Sequence, residues 1–210
     1  MRKILLLALV AGSFLQFPMA HGAQHLWDIQ EVYTNADGSV QFIEFFTASS
    51  GQQFLINKTL TEMLGAGTLS TFTFPTSLPL NSPAGGHPNT ASDTANQTFL
   101  VATSNFNSLF GILPDYVIPA GFLTAGAGRV LDFNVSPLES LNLDSLPTNG
   151  TQSLNGLPGD ENPSHFSINN TATPKNFRGE TAIIPEPMSG ALASFGLILL
   201  ATRRRRSRSI

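Results

Sequence analysis

Short apolar–polar alternations separated by glycine, proline and asparagine fill the middle of this chain, and its long apolar runs are confined to the two ends. "LWDIQEVYT" and "SVQFIEFFT" are rich in aromatic and β-branched residues and flank the turn-forming "NADG", which predicts a β-hairpin over residues 25–47. Gly38 supplies the left-handed conformation that closes such a loop, and Asn35 or Asp37 can bond nearby amides. In the second strand Val40, Phe42 and Phe46 share one parity while Ile43 and Phe45 take the other. Both faces are thus partly apolar, as in a strand set well inside a sandwich.

Further strands are expected at 53–56, 68–74, 98–102 and 129–133, and "PDYVIPAGFLTAGAG" predicts a turn, a strand and a second turn, with Gly126 and Gly128 allowing close chain approach. "SNFNSLFGI" predicts a short helical turn capped by Ser104 or Asn105. "SLPLNSPAGGHPNTASDTANQ" predicts a long exposed loop. After Leu138 the chain is turn-rich, with edge strands expected in "NGTQSL" and "HFSIN". Neither a long-period repeat nor a strong amphipathic helix is visible. Several short strands with Gly/Pro turns, within about 150 residues, predict an all-β sandwich.

Composition sharpens this picture. Of 210 residues, 41% are hydrophobic but only 12% are charged, well below the usual quarter, and Gly, Pro, Ser, Thr and Asn fill the gap. There is no cysteine, which excludes disulfides, thiolate catalysis, Fe–S clusters and cysteine zinc sites. The net charge of −3 hides an asymmetry: between Gln24 and Ile184 four basic residues (Lys58, Arg129, Lys175, Arg178) face thirteen acids, a net of −9. Such a body repels phosphate backbones and lacks a basic stripe, so no nucleic-acid partner is expected.

The remaining basic residues sit at the ends. Arg2 and Lys3, an apolar stretch over 4–17 and the small residues Ala20, Gly22 and Ala23 form the three parts of a secretory signal over residues 1–23, with an uncleaved membrane helix as the alternative. At the other end, Pro185-Glu186-Pro187 precedes the apolar segment 188–202 and a cluster of Arg203, Arg204, Arg205, Arg206 and Arg208. As a helix that segment spans about 22 Å, short of a hydrocarbon core of about 30 Å, but arginine snorkelling and local thinning close such a gap. The arginines then stay cytoplasmic, and the two prolines keep the helix from extending backwards. The result is a stop-transfer signal with an accessible, kinked neck.

The ordered trio of Pro-Glu-Pro, short apolar run and terminal arginines resembles a PEP-CTERM sorting signal. That resemblance implies an exosortase as processing partner, transient residence in the inner membrane, and delivery to the surface or exopolysaccharide matrix of a Gram-negative bacterium. A permanent single-span anchor is the alternative. In the body, "IQEVYTNADGSVQFIEFFT", "QTFLVATSNF", "YVIPAGFL" and "ATPKNF" resemble a lamin-tail-like domain, an immunoglobulin-like β-sandwich. Glu31 and Glu44 match that family's two strand acids and Thr173-Pro174 its last element, whereas Phe45-Phe46 and residues 61–96 depart from it. The resemblance implies a scaffold or attachment module. The expected organisation is a signal peptide at 1–23, the sandwich at 24–177, a linker at 178–184 and the sorting signal at 185–210.

Chemistry-bearing residues are sparse. His21, His25, His87 and His165 show no zinc-site spacing, and HExxH, GxSxG, SxxK, Walker A and GxGxxG are all absent. Glu31 and Glu44 on adjacent strands form a possible carboxylate pair for acid–base chemistry, or strand acids that accept hydrogen bonds. Calcium is the ion whose ligands the turns offer, at Asn35-Asp37-Gly38 and Asp160-Glu161-Asn162, but the closing glutamate of an EF-hand is missing and turn chemistry explains both stretches. Phe106, Phe110, Tyr116 and Phe122 can stack on sugars or fill the core. The expectation is an exported, non-catalytic surface or matrix protein without a cofactor, meeting exopolysaccharide or surface glycans; the alternative is an exported hydrolase using Glu31 and Glu44.

Overall fold

The computed structural model describes residues 26–78, 94–134, 139–156 and 166–183. The four histidines, the acids of 160–161, the signal segment and the sorting segment lie outside them. Among the described residues no helix is long and apolar enough to cross a membrane.

The chain is mostly β and forms two sheets, as the alternating pattern predicts. The six-stranded sheet has the order β10-β9-β1-β2-β5-β6, from β1 (Asp28–Thr34), β2 (Gln41–Thr47), β5 (Gln97–Thr103), β6 (Tyr116–Ile118), β9 (Ser153–Asn155) and β10 (Ser167–Asn169). The four-stranded sheet has the order β4-β3-β7-β8, from β3 (Thr59–Leu64), β4 (Gly67–Thr73), β7 (Arg129–Phe133) and β8 (Glu139–Asn142). Every pairing is antiparallel except β5 with β6, which are joined through the short helix α1 (Phe106–Phe110).

The β1–β2 hairpin closes as its turn residues dictate. Gly38 takes φ +69°, Asn35 Oδ1 accepts the Val40 amide at 3.0 Å, and Asp37 Oδ1 accepts the Ser39 amide at 3.0 Å. The oxygens weighed as calcium ligands at Asn35 and Asp37 therefore serve the turn itself.

Ile43 and Phe45 face the second sheet and meet Leu60, Leu131 and Phe133 in the main core. Phe45 stacks on Phe99 with ring centroids 4.5 Å apart. The opposite parity faces outward, yet it is also covered: Phe42, with Tyr33, Leu100 and Ala102, packs under Phe106 and Phe110 of α1 and against Ala172 and Ala182. All four aromatics considered for sugar stacking (Phe106, Phe110, Tyr116, Phe122) are buried in these two cores.

Three local expectations are corrected. Residues 53–56 form a loop and no strand, because Lys58 N–H closes a turn on the Leu55 carbonyl at 2.9 Å and Asn57 adopts φ +63°. The Trp27 indole N–H donates to the Gln52 carbonyl at 2.7 Å, so this loop is pinned by side chains where a strand ladder was expected. Asn105 occupies the N-cap of α1 but makes no side-chain cap bond, since its backbone is already helical (φ −79°, ψ −9°) and a capping side chain needs an extended backbone. The stretch after Leu138 carries β8, besides the two edge strands expected there.

Truncating Phe45 to Ala is expected to cost about 3–5 kcal/mol, because a fully buried ring leaves a cavity between two sheets that cannot collapse onto it. Urea unfolding of the variant against the parent protein measures this; a loss below about 1 kcal/mol contradicts the packing described.

Candidate functional site

On the outer face of the six-stranded sheet, Glu31 of β1 and Glu44 of β2 are direct cross-strand partners. Glu31 shares the parity of Tyr33, while the bulge between Ile29 and Glu31 turns Ile29 to the main core, and Glu44 shares the parity of Phe42. Both are buried, at 2% and 4% exposure. What covers them is the C-terminal segment 172–183. Thr173 N–H donates to the two Glu31 oxygens at 3.1 and 3.2 Å, and Lys175 N–H donates to Glu44 Oε2 at 2.5 Å. Two residues on, Phe177 N–H donates at 2.9 Å to Asp115 Oδ2, which also accepts the Leu100 amide at 2.8 Å.

The covering segment turns back on itself. Lys175 and Thr181 form a β-bridge, Asn176 N–H reaches the Glu180 carbonyl at 3.1 Å and Ala182 N–H reaches the Pro174 carbonyl at 3.0 Å. Asn176 Nδ2 ties this loop to the Leu113 carbonyl at 3.0 Å. Packed chain thus runs through residue 182, beyond the expected domain boundary at 177 and into the expected linker of 178–184.

Removal from water dominates the protonation of these acids. Burial pushes Glu44 up to about 8, opposed by the Lys175 amide and reinforced by the neighbouring Glu31 carboxylate. Burial lifts Glu31 to about 7 against the Thr173 hydrogen bonds, and Asp115 to about 6 against the amides of Phe177 and Leu100. A further buried acid, Glu62 of β3, accepts the Thr124 amide at 2.9 Å and lies 3.5 Å from the Arg129 guanidinium.

Beside Glu44 a cavity of about 460 Å³ opens between sheet and covering segment. Gln30, Phe46, Asn96 and Thr98 supply the sheet side; Lys175 and Thr181 belong to the covering segment. Hydroxyls, amides, one ammonium and one half-buried aromatic ring suit a small polar molecule with an apolar face. Among the described residues no group of three or more His, Asp or Glu side chains is placed to hold a metal ion.

The hairpin register therefore brings together Glu31 and Glu44, which the sequence reading had already singled out. Of the covering segment it offers only Thr173-Pro174, and Asp115, Phe46 and Asn96 carry no role in it. Asp115 carries a faint signal: it is a lone acid between Pro114 and the apolar Tyr116-Val117-Ile118 in a chain poor in charge. No protein-family model matches this chain, and no curated protein or solved structure matches it either.

A raised carboxyl pKa means that the folded chain holds its proton more tightly than the unfolded one. That contribution is complete below the ordinary value of 4.5 and is lost as pH rises through about 7 and 8 for Glu31 and Glu44. Glu44→Gln is accordingly expected to match the parent protein near pH 5 and to exceed its stability by roughly 3 kcal/mol above pH 8. Chemical denaturation at both pH values checks the sign; a variant equally destabilised at both contradicts the protonation assigned to Glu44.

Proposed function

We propose that this chain is an exported, non-catalytic surface or matrix protein, sorted through Pro185-Glu186-Pro187 and presenting its sandwich to exopolysaccharide or surface glycans. The observation that carries the non-catalytic reading is the engagement of both strand carboxyl groups by amides of 172–177. General acid–base catalysis needs a carboxyl group free to reach substrate. These two are occupied in holding the chain to itself.

The glycan side of this reading is supported by the cavity. Gln30, Asn96, Thr98 and Thr181 offer amide and hydroxyl groups, and Phe46 offers a ring beside them, the combination that a sugar's hydroxyls and its C–H face require. The finer fold assignment, an immunoglobulin-like sandwich of the lamin-tail type, draws support from the same place. Glu31, Glu44 and the Thr173-Pro174 element carry the sequence resemblance, and in the fold they meet within one hydrogen-bonded cluster.

Export and sorting rest on the two terminal segments. The chain is docked through Ala182, three residues before Pro185 in the sequence, so a processing enzyme in the inner membrane would meet its motif close along the chain to a docked piece of the domain. Calcium remains the single ion considered, and no cofactor is part of the proposal.

One observation favours a second reading, an exported hydrolase: Glu44 both lines the cavity and stands opposite Glu31, with its proton retained to about 8. Replacing Glu31 or Glu44 by Gln separates the two, since a hydrolase loses turnover without loss of folding.

Protein purified from the producing cell's surface is expected to bear an intact mass lacking both terminal segments and to be retained on immobilised exopolysaccharide from the same cells. The double change Phe46→Ala, Asn96→Gly, with glycine keeping the left-handed backbone of position 96 (φ +58°), is expected to weaken that retention at least about fivefold while the protein stays folded. Recovery from the cytosol with both ends present, or retention indifferent to the double change, overturns the proposal.

A further inference from the structure

Three amides at alternate residues of one segment reach three carboxyl groups, two buried in neighbouring strands and one half-buried just before β6: Thr173 to Glu31, Lys175 to Glu44 and Phe177 to Asp115. An extended chain turns alternate amides to the same side, so the periodicity is that of a strand laid across acceptors. Pro174, which has no amide to offer, occupies a position between two of these donors. Its carbonyl instead accepts from Ala182, and the loop 175–181 closes on itself, so residues 172–183 dock as one piece. Of the twelve residues Ala172, Pro174, Asn176, Phe177 and Ala182 are buried, with Phe177 the one large apolar side chain among them, while Thr173, Gly179, Glu180, Thr181 and Ile183 are exposed. Its attachment therefore leans in good part on the carboxyl groups beneath it.

We propose that residues 172–183 are a proton-controlled clasp, docked across the six-stranded sheet while the carboxyl groups beneath it are neutral and opening locally when they acquire charge. A neutral carboxylic acid is cheap to bury; two carboxylates in directly opposed positions under a dry cover are not. Lifting the segment returns water to both, which stabilises the charged form and so favours the open arrangement. Because Thr173, Lys175, Thr181, Ala182 and Ile183 form half of the cavity's lining, opening also dismantles the cavity. That last consequence rests on the glycan reading given above; the clasp itself does not.

The charges that bear on the clasp come from few elements. β1 brings Glu31 and, at its start opposite Phe46, Asp28; β2 brings Glu44, and Asp115 precedes β6; on the segment itself, Lys175 favours ionised Glu44 and Arg178 favours ionised Asp115, whereas Glu180 opposes it. Tyr33 and Tyr116 are held neutral well above this range by burial. β5, β9 and α1 contribute no ionisable side chain. The three acids change charge at about 6, 7 and 8, so the clasp is closed in mildly acidic surroundings and loosens across neutrality.

Hydrogen exchange of the full-length protein, read by mass spectrometry and corrected for the intrinsic pH dependence of exchange, tests this without any ligand. Between pH 5 and pH 8.5 the protection of a peptide covering 172–183 is expected to fall at least about tenfold while that of a peptide covering β5 holds. In the double variant Glu31→Gln, Glu44→Gln, protection of 172–183 is expected to become nearly independent of pH. Equal protection of the parent segment at both pH values, or an undiminished fall in the double variant, overturns the clasp. Should the double variant fail to fold, infrared titration of the parent protein decides: the carbonyl band of protonated carboxylic acid must persist above pH 6 and vanish in step with the loss of protection, and its absence at pH 6 overturns the proposal. The glycan reading can fail in its own retention assay with these outcomes untouched.

Discussion

β2 runs through the middle of the larger sheet with apolar side chains on both faces, and no strand of that kind is stable until each face has its own cover. Ile43 and Phe45 find theirs in the four-stranded sheet. Phe42 finds its cover in α1, whose five residues bring two phenylalanines onto the outer face, and in the alanines of the C-terminal segment. A two-sheet sandwich ordinarily leaves its outer faces to water. Here the patterning of one strand demands a third, partial layer, and the short helix and segment 172–183 are its material.

Polar residues on a doubly covered strand then need partners from that cover, because a buried polar group without one costs more than a hydrogen bond returns. Gln41 illustrates the inner solution: its side chain donates to the Leu123 carbonyl at 2.6 Å and accepts from the Leu123 amide at 3.0 Å, pinning the chain between β6 and β7. Glu44 illustrates the outer one. Its acceptor oxygen is met by a backbone amide of a segment that would otherwise trail off the domain. The same rule extends to Glu31 and Asp115, so three acids spread from β1 to β6 hold one extended stretch in place.

This arrangement accounts for features that otherwise look contradictory. A body with a large excess of acids buries several of them: Glu62 is set beside Arg129, whereas Glu31 and Glu44 are met by backbone amides and burial favours their neutral form. The cavity gains its mixed character from the same source, since its walls are a polar strand face on one side and a docked peptide on the other. Whatever moves segment 172–183 therefore changes the shape of the cavity, since five of its residues line it.

Much of the fold was legible along the chain. The hairpin, its Asn-Ala-Asp-Gly turn, the opposite parities of Phe42 and Phe45, the strands at 97–103 and 129–133 and the helical turn at 106–110 all follow from local periodicity and turn chemistry, which the sequence by itself determines. The strand expected at 53–56 failed for want of a ladder partner, something no local pattern reports. Glu31 and Glu44 could be picked out as strand acids; that they stand opposite one another follows from the hairpin register, but that they are dry does not. Their burial depends on amides 142 and 131 residues away, and the cavity on side chains from four separate stretches. Tertiary structure alone decided those points, because desolvation and hydrogen-bond satisfaction are properties of what packs against a residue, whereas periodicity is a property of the residue's own neighbours in the chain.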